Sequence, residues 1–128
     1  MKKYNLAVVG ATGAVGQDVF KGLEEFNLEF ESIVPMSSAR SAGKEIKYQN
    51  RTLCSQVFEE DSFKKHNIDI AIFSAGGSIS EKYAPFAVEA GAVVIDNTSH
   101  FRMDEDVPLV IPEVNPNKIR EYKKRGII

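Results

Sequence analysis

Short, unbroken apolar runs alternate with longer amphipathic stretches along this chain, and that alternation predicts strand and helix in turn. Leu6-Ala7-Val8-Val9 is a continuous apolar run stopped by Gly10, the pattern of a strand buried on both faces of a parallel sheet. Beyond it Val15, Val19, Phe20, Leu23 and Phe26 recur at helical spacing, with Gln17, Asp18, Lys21, Glu24 and Glu25 on the remaining faces. A second strand is expected over 30–35, followed by a small, polar loop over 37–43. Residues 45–57, where Ile46, Tyr48 and Leu53 surround the polar triplet Gln49-Asn50-Arg51, read as an inserted hairpin.

The unit then repeats. A short helix is expected over 61–66 and a third buried strand over 68–73, ending at Ser74-Ala75-Gly76-Gly77. Ser78 with Glu81 three residues on fits a capping box for a helix that runs through Ala84, Ala87 and Val88 to Gly91, with Pro85 bending it. Ala92-Val93-Val94-Ile95 reads as a fourth buried strand and Val110-Ile111 as a short fifth. Asn115-Pro116-Asn117 opens a last helix with Ile119 and Tyr122 as its apolar positions. Gly126-Ile127-Ile128 resembles the opening of a further strand, so a piece of a longer protein is expected. The fold class is α/β: one domain over 1–128, a doubly wound parallel sheet with right-handed crossovers.

Composition narrows the functions rather than the fold. A chain of 128 residues, 43% hydrophobic and 27% charged, has the makeup of one soluble globular domain. A net charge of -2 with Lys3, Lys118 and Lys123 scattered offers no basic field, so no nucleic-acid partner is expected. The opening apolar run is too short for a secretory leader and no longer one follows, so the expectation is a cytoplasmic protein with no membrane partner. Cys54 is the single cysteine, and His66 and His100 stand too far apart to suggest a metal site. Neither Cys54 nor His100 has a neighbour that would activate it, and no catalytic residue is assigned. Asp104, Glu105 and Asp106 read as a solvated acidic loop, and Tyr48 and Tyr83 as packing residues.

The chemistry concentrates at the carboxyl ends of the expected strands. Gly10, Gly13 and Gly16 recur every third residue between the first strand and its helix. Glycines there permit a sharp bend, close approach of a pyrophosphate and tight helix packing, while the helix N-terminus favours the anion. This predicts a Rossmann-like dinucleotide-binding domain, although the spacing is one residue longer than the commonest dehydrogenase fingerprint. About 20 residues beyond the glycines an NAD site usually carries an acidic residue for the ribose diol. Here Ser37-Ser38-Ala39-Arg40 stands instead. A guanidinium suits a 2′-phosphate, so NADP is the preferred cofactor, against the plainer reading of Arg40 as a solvated loop residue. Ser74-Ala75-Gly76 lies at the same sheet edge and reads equally as a cofactor contact or a turn. Arg102, in the loop opened by Asp96-Asn97-Thr98-Ser99, is placed to hold an anionic group of a substrate.

Five segments in order, Val8 through Gly16, Ser37-Ser38-Ala39-Arg40-Ser41, Phe73 through Ser78, Asp96-Asn97-Thr98-Ser99 with Phe101-Arg102-Met103, and Val110 through Asn115, resemble aspartate-semialdehyde dehydrogenase. The resemblance implies that Gly10, Thr12, Gly13, Ala14, Val15 and Gly16 hold the phosphates of NADP. It likewise implies that Ser37, Ser38, Arg40 and Ser41 bind the 2′-phosphate and that Ser74, Ala75 and Gly76 lie against the cofactor. Arg102 matches the arginine that binds the acyl-phosphate substrate or inorganic phosphate. The implied reaction is reductive dephosphorylation of 4-aspartyl phosphate to aspartate semialdehyde, on the route to lysine, threonine, methionine and isoleucine. The family's Asn-Pro-Asn-Cys-Ser nucleophile segment is expected just beyond Ile128, with the catalytic histidine and a dimer- or tetramer-forming domain farther on. The chain itself is thus expected to bind NADP and phosphate without turnover. N-acetyl-gamma-glutamyl-phosphate reductase and a stand-alone NADP-binding regulatory module are the alternatives.

Overall fold

A computed structural model describes residues 3–128. In chain order its elements are β1 (Asn5–Val9), α1 (Ala14–Glu25), β2 (Ser32–Ser37), β3 (Glu45–Tyr48), β4 (Arg51–Cys54), β5 (Gln56–Val57), α2 (Ser62–Lys65), β6 (Ile70–Phe73), α3 (Gly77–Glu89), β7 (Val93–Asp96) and a 3-10 helix (Pro116–Lys124). Five strands form one sheet in the order β5-β2-β1-β6-β7, every pair parallel. From β1 the chain moves outward to β2 and β5, then returns to the opposite side of β1 for β6 and β7. The order therefore reverses between β1 and β6, the place where open parallel sheets bind ligands beyond their strand ends. Ile127 adds a parallel bridge to Val94 at the far edge, in agreement with the strand opening expected there.

Beyond Asn5, β1 is apolar because it feeds two cores. Its side chains alternate across the sheet: Leu6 and Val8 join Phe20, Leu23, Ile33 and Tyr48 under α1 and the β3–β4 hairpin. Ala7 and Val9 join Val34, Met36, Phe63, Phe73, Ala84, Ala87 and Val94 under α2 and α3. The hairpin closes on its core through Tyr48, whose ring meets Phe20 edge to face at 6.0 Å and whose hydroxyl donates to the Leu28 carbonyl at 3.1 Å. Tyr83 packs at 5.0 Å on Phe58, so both tyrosines serve packing as expected.

Several expectations are corrected. Val15 and Phe26 are 43% and 75% exposed: the first lies in the opening turn of α1, and the second is the residue that ends the helix. β2 begins and ends two residues later than the expected strand, which brings Met36 and Ser37 into the sheet. α3 is entered through Gly76 at φ +98, without the Ser78–Glu81 capping box; the Ser80 N–H bonds instead to the Gly76 carbonyl. Pro85 sits on an exposed position inside α3. Ile95 is 40% exposed, so β7 is not buried on both faces. Val110-Ile111 forms no strand because Asn115 takes over the local backbone: its side chain accepts from the Ile111 N–H at 2.7 Å and donates to the Leu109 carbonyl at 2.8 Å. The last helix is 3-10 rather than α and buries no residue. Asp104 is not merely solvated; it pairs with Arg125.

Candidate functional site

The three glycines part company once their surroundings are known. Gly10 has φ +89, and a Cβ on it would lie 2.8 Å from the carbonyl carbon of Ser74. A Cβ on Gly16 would lie 2.2 Å from the Gly10 carbonyl oxygen. Gly10 is thus required by the bend and by the close approach of β6, and Gly16 by the packing of α1 against the turn. Gly13 has ordinary backbone angles, and its nearest neighbour would be the Gly10 oxygen at 3.6 Å. Nothing within the fold requires a glycine there. Gly13 is exposed at the N-cap of α1, with its backbone open at the mouth of the helix.

The turn is held firmly. Gly10 and Ala11 both donate to the Met36 carbonyl, at 2.9 and 3.1 Å, and Gln17 Nε2 donates to the Thr12 carbonyl at 3.2 Å. Ser74 donates twice to the Val9 carbonyl, through its N–H at 2.8 Å and its hydroxyl at 3.0 Å. These bonds bring the ends of β1, β2 and β6 together. The N–H groups of Ala14, Val15 and Gly16 open α1, and those of Gly77, Ser78 and Ile79 open α3; as first-turn donors they have no carbonyl four residues back within their helices. Both sets open at the switch point of the sheet, where helix N-termini favour an anion.

Within the loop after β2, Ser38 and Arg40 are exposed and Ser41 is half-buried in a turn closed by its N–H on the Ser38 carbonyl at 3.0 Å. Arg40 makes no ion pair among the described residues, which leaves its guanidinium open to an anion. Ser37 is different. It is 2% exposed and its hydroxyl shares a 2.5 Å hydrogen bond with that of Ser55, so it shapes the loop from below instead of offering a surface donor.

At the end of β7 the structure adds a feature that composition did not single out. The Asp96 carboxylate accepts from the Ser80 hydroxyl at 2.9 Å, the Thr98 N–H at 2.9 Å and the Thr98 hydroxyl at 3.0 Å. An acidic residue closing an apolar strand with threonine two positions on was the available signal, but its partner Ser80 is remote in sequence. Arg102 follows on the same loop, exposed and without an ion pair among the described residues. It borders a cleft of about 160 Å³ with Asp96, Thr98, Phe101 and Val107. His100 is exposed against the Phe101 ring, and its Cβ would be 3.8 Å from a Cβ on Gly77, which places it by the mouth of α3. Cys54 lies on the hairpin with its thiol 3.7 Å from the Gly43 carbonyl. Among the described residues no group of histidine, cysteine and carboxylate side chains is arranged to hold a metal, and no helix is long and apolar enough to cross a membrane.

Comparison with known proteins places this geometry. The family model described as "Semialdehyde dehydrogenase, NAD binding domain" matches residues 5–122. An aspartate-semialdehyde dehydrogenase of Campylobacter jejuni is 57% identical over 127 residues, which are 99% of this chain and 37% of that protein. Aspartate semialdehyde dehydrogenase II of Vibrio cholerae, solved in complex with ASA, superposes with a TM-score of 0.93 at 47% identity over 99% of this chain and 41% of that one. The Candida albicans enzyme, solved with NADP, gives a TM-score of 0.74 at 30% identity, over 93% of this chain and 36% of that one. The chain therefore spans well under half the length of these relatives. With nearly its whole length covered by one family model, and with the glycine turn, switch point and loop order in place, the chain belongs to the semialdehyde dehydrogenase family as its NAD-binding domain.

Proposed function

We propose that this chain is the NADP-binding part of an aspartate-semialdehyde dehydrogenase, the enzyme that reductively dephosphorylates L-4-aspartyl phosphate to L-aspartate 4-semialdehyde. One observation carries the choice of substrate: the 57% identity to a relative of that name extends over 99% of the chain. The dinucleotide reading is supported by the NAD-binding-domain family over residues 5–122 and by the open backbone at Gly13, and the choice of NADP by Arg40, exposed and without an ion pair among the described residues.

In this reading Thr12, Gly13, Ala14 and Val15 cradle the phosphates at the mouth of α1, on a turn whose shape Gly10 and Gly16 make possible. Ser38, Arg40 and Ser41 receive the 2′-phosphate, with Ser37 holding the loop in place through Ser55. Ser74, Ala75 and Gly76 lie along the cofactor at the end of β6. Arg102 binds the phosphate of the acyl phosphate, or inorganic phosphate in the reverse direction. NADPH supplies the hydride that reduces the activated acyl group. The residues of this chain bind, orient and hold the two anions. A cytoplasmic location and a homo-oligomeric whole protein belong to the same proposal and rest on the resemblance.

The test is an assay of the whole protein with aspartate semialdehyde, NADP+ and phosphate, following reduced cofactor at 340 nm. Phosphate-dependent reduction is expected. Turnover of N-acetylglutamyl phosphate with none of the aspartyl substrate would overturn the assignment.

A further inference from the structure

Ser80 is fully buried in α3, where a hydroxyl is costly unless it is bonded. It spends that hydroxyl on Asp96, at the end of β7, and Asp96 in turn takes both the N–H and the hydroxyl of Thr98. The Thr98 hydroxyl lies 3.3 Å from that of Ser80 and also accepts the His100 N–H at 3.3 Å. Three elements are thus joined at one carboxylate: the helix whose mouth faces the cofactor site, the strand end, and the loop that carries Arg102.

The rest of that loop is pinned farther along. Phe101 is buried in the core, the Arg102 N–H bonds to the Ser99 carbonyl at 3.2 Å, and Arg125 both pairs with Asp104 and lies 5.6 Å over the Phe101 ring. Between these anchors the Arg102 side chain stands exposed, with no ion pair among the described residues. A guanidinium on a loop held at both ends loses less freedom when it captures an anion than one on a loose loop.

From this geometry we infer that Asp96 is a positioning residue for the anion site: its carboxylate, shared by Ser80 and Thr98, presets the loop so that Arg102 meets a phosphate group. Its three hydrogen bonds run to Ser80 and Thr98, so it acts on Arg102 through the loop. The inference rests on the proposed role of Arg102, and the experiment separates the two.

Titration calorimetry on the whole protein, with inorganic phosphate and NADP+ as separate probes, compares the parent with Asp96→Ala, Asp96→Asn, Thr98→Val and Arg102→Ala. Asp96→Ala should weaken phosphate about tenfold while changing NADP+ affinity less than twofold. Asp96→Asn keeps an oxygen for Ser80 and the Thr98 N–H, and should restore most of the phosphate affinity. If Asp96→Ala does not fold, Thr98→Val, which removes the loop's side-chain bond to the carboxylate, should give a several-fold loss of the same selectivity. Loss of phosphate binding in Arg102→Ala with unchanged binding in both Asp96→Ala and Thr98→Val would overturn the inference alone. Unchanged binding in Arg102→Ala would overturn the reading of Arg102 and this inference with it. Equal losses for phosphate and NADP+ in Asp96→Ala would mark a general structural role and also overturn it.

Discussion

Adding one methyl group at each of the three glycines separates what the fold needs from what the ligand needs. At Gly16 the new Cβ would fall 2.2 Å from the Gly10 carbonyl oxygen and 2.8 Å from two backbone atoms of Ala11. These are backbone atoms in a turn tied to Met36 and Gly13, so relief requires α1 to move off the sheet. Such overpacking costs about 3 kcal/mol, which lowers Tm by about 10 °C in a domain of this size. Gly10→Ala should cost a similar amount, because a side chain at φ +89 is strained by about 1–2 kcal/mol before the contact with Ser74 is counted. Gly13→Ala meets only one atom, at ordinary van der Waals distance, with φ -76 and ψ 172 open to any residue. The lost freedom of the unfolded chain offsets the poorer helix start, leaving stability within about 0.5 kcal/mol of the parent. NADP+ affinity should nevertheless fall by about tenfold, the equivalent of roughly 1.4 kcal/mol. Thermal unfolding and calorimetry on the three variants read both quantities. Parent-like NADP+ binding in Gly13→Ala, or destabilisation equal to that of Gly16→Ala, would refute the division of roles.

Three further outcomes follow from single features. Arg40→Ala should remove most of the preference for NADP+ over NAD+ in direct binding; equal affinities for the two in the parent chain would contradict the 2′-phosphate assignment. Tyr48→Phe should cost about 1 kcal/mol in denaturant unfolding, since it leaves the Leu28 carbonyl without its donor. The same variant should flatten the alkaline limb. Burial, then the charge of Glu24, raise the Tyr48 hydroxyl above its ordinary 10.0, so its stabilising share is present below that value and lost as pH rises through the native one. On the acid side, the Asp106 N–H and then Arg125 hold Asp104 below 3.8, and Lys124 and then Lys118 hold Glu121 below 4.5. Both contributions are present above those values and fade as pH falls through the lower native ones. Asp104→Asn should therefore make a Tm profile between pH 5 and about 2 less steep, as measured by calorimetry.

Local pattern by itself determined the strands and helices around the glycine turn, the hairpin and the loops at the strand ends, but the expected hairpin over 45–57 ends at Cys54, and Gln56–Val57 joins the main sheet as β5 beside β2. Each was legible because its cause is local. A run such as Leu6-Ala7-Val8-Val9, short and stopped by Gly10, fits a strand covered on both faces, and glycines every third residue before an amphipathic stretch mark a turn into a helix. Residues 8–16 and 37–41, read in order with the later segments, also carried the family resemblance that the comparisons bear out. Boundaries and caps were less legible. Where β2 stops depends on β5, which pairs with Met36 and Ser37, and how α3 begins depends on Gly76 at φ +98. Asn115, by bonding to residues 109 and 111, overrode an apolar pair that pattern alone reads as a strand.

What only the tertiary structure decided is the work of each polar residue, because hydrogen-bond partners are set by distance in space. Ser37 and Ser38 are alike in sequence, yet Ser55, eighteen positions on, takes the first into the interior and leaves the second at the surface. Ser80 is one serine in a helix until the crossover from α3 to β7 brings it against Asp96. The glycine turn follows the same rule. Its spacing announced a phosphate cradle, but the neighbours supplied by β6 and by the turn itself assign Gly10 and Gly16 to the fold and leave Gly13 facing outward.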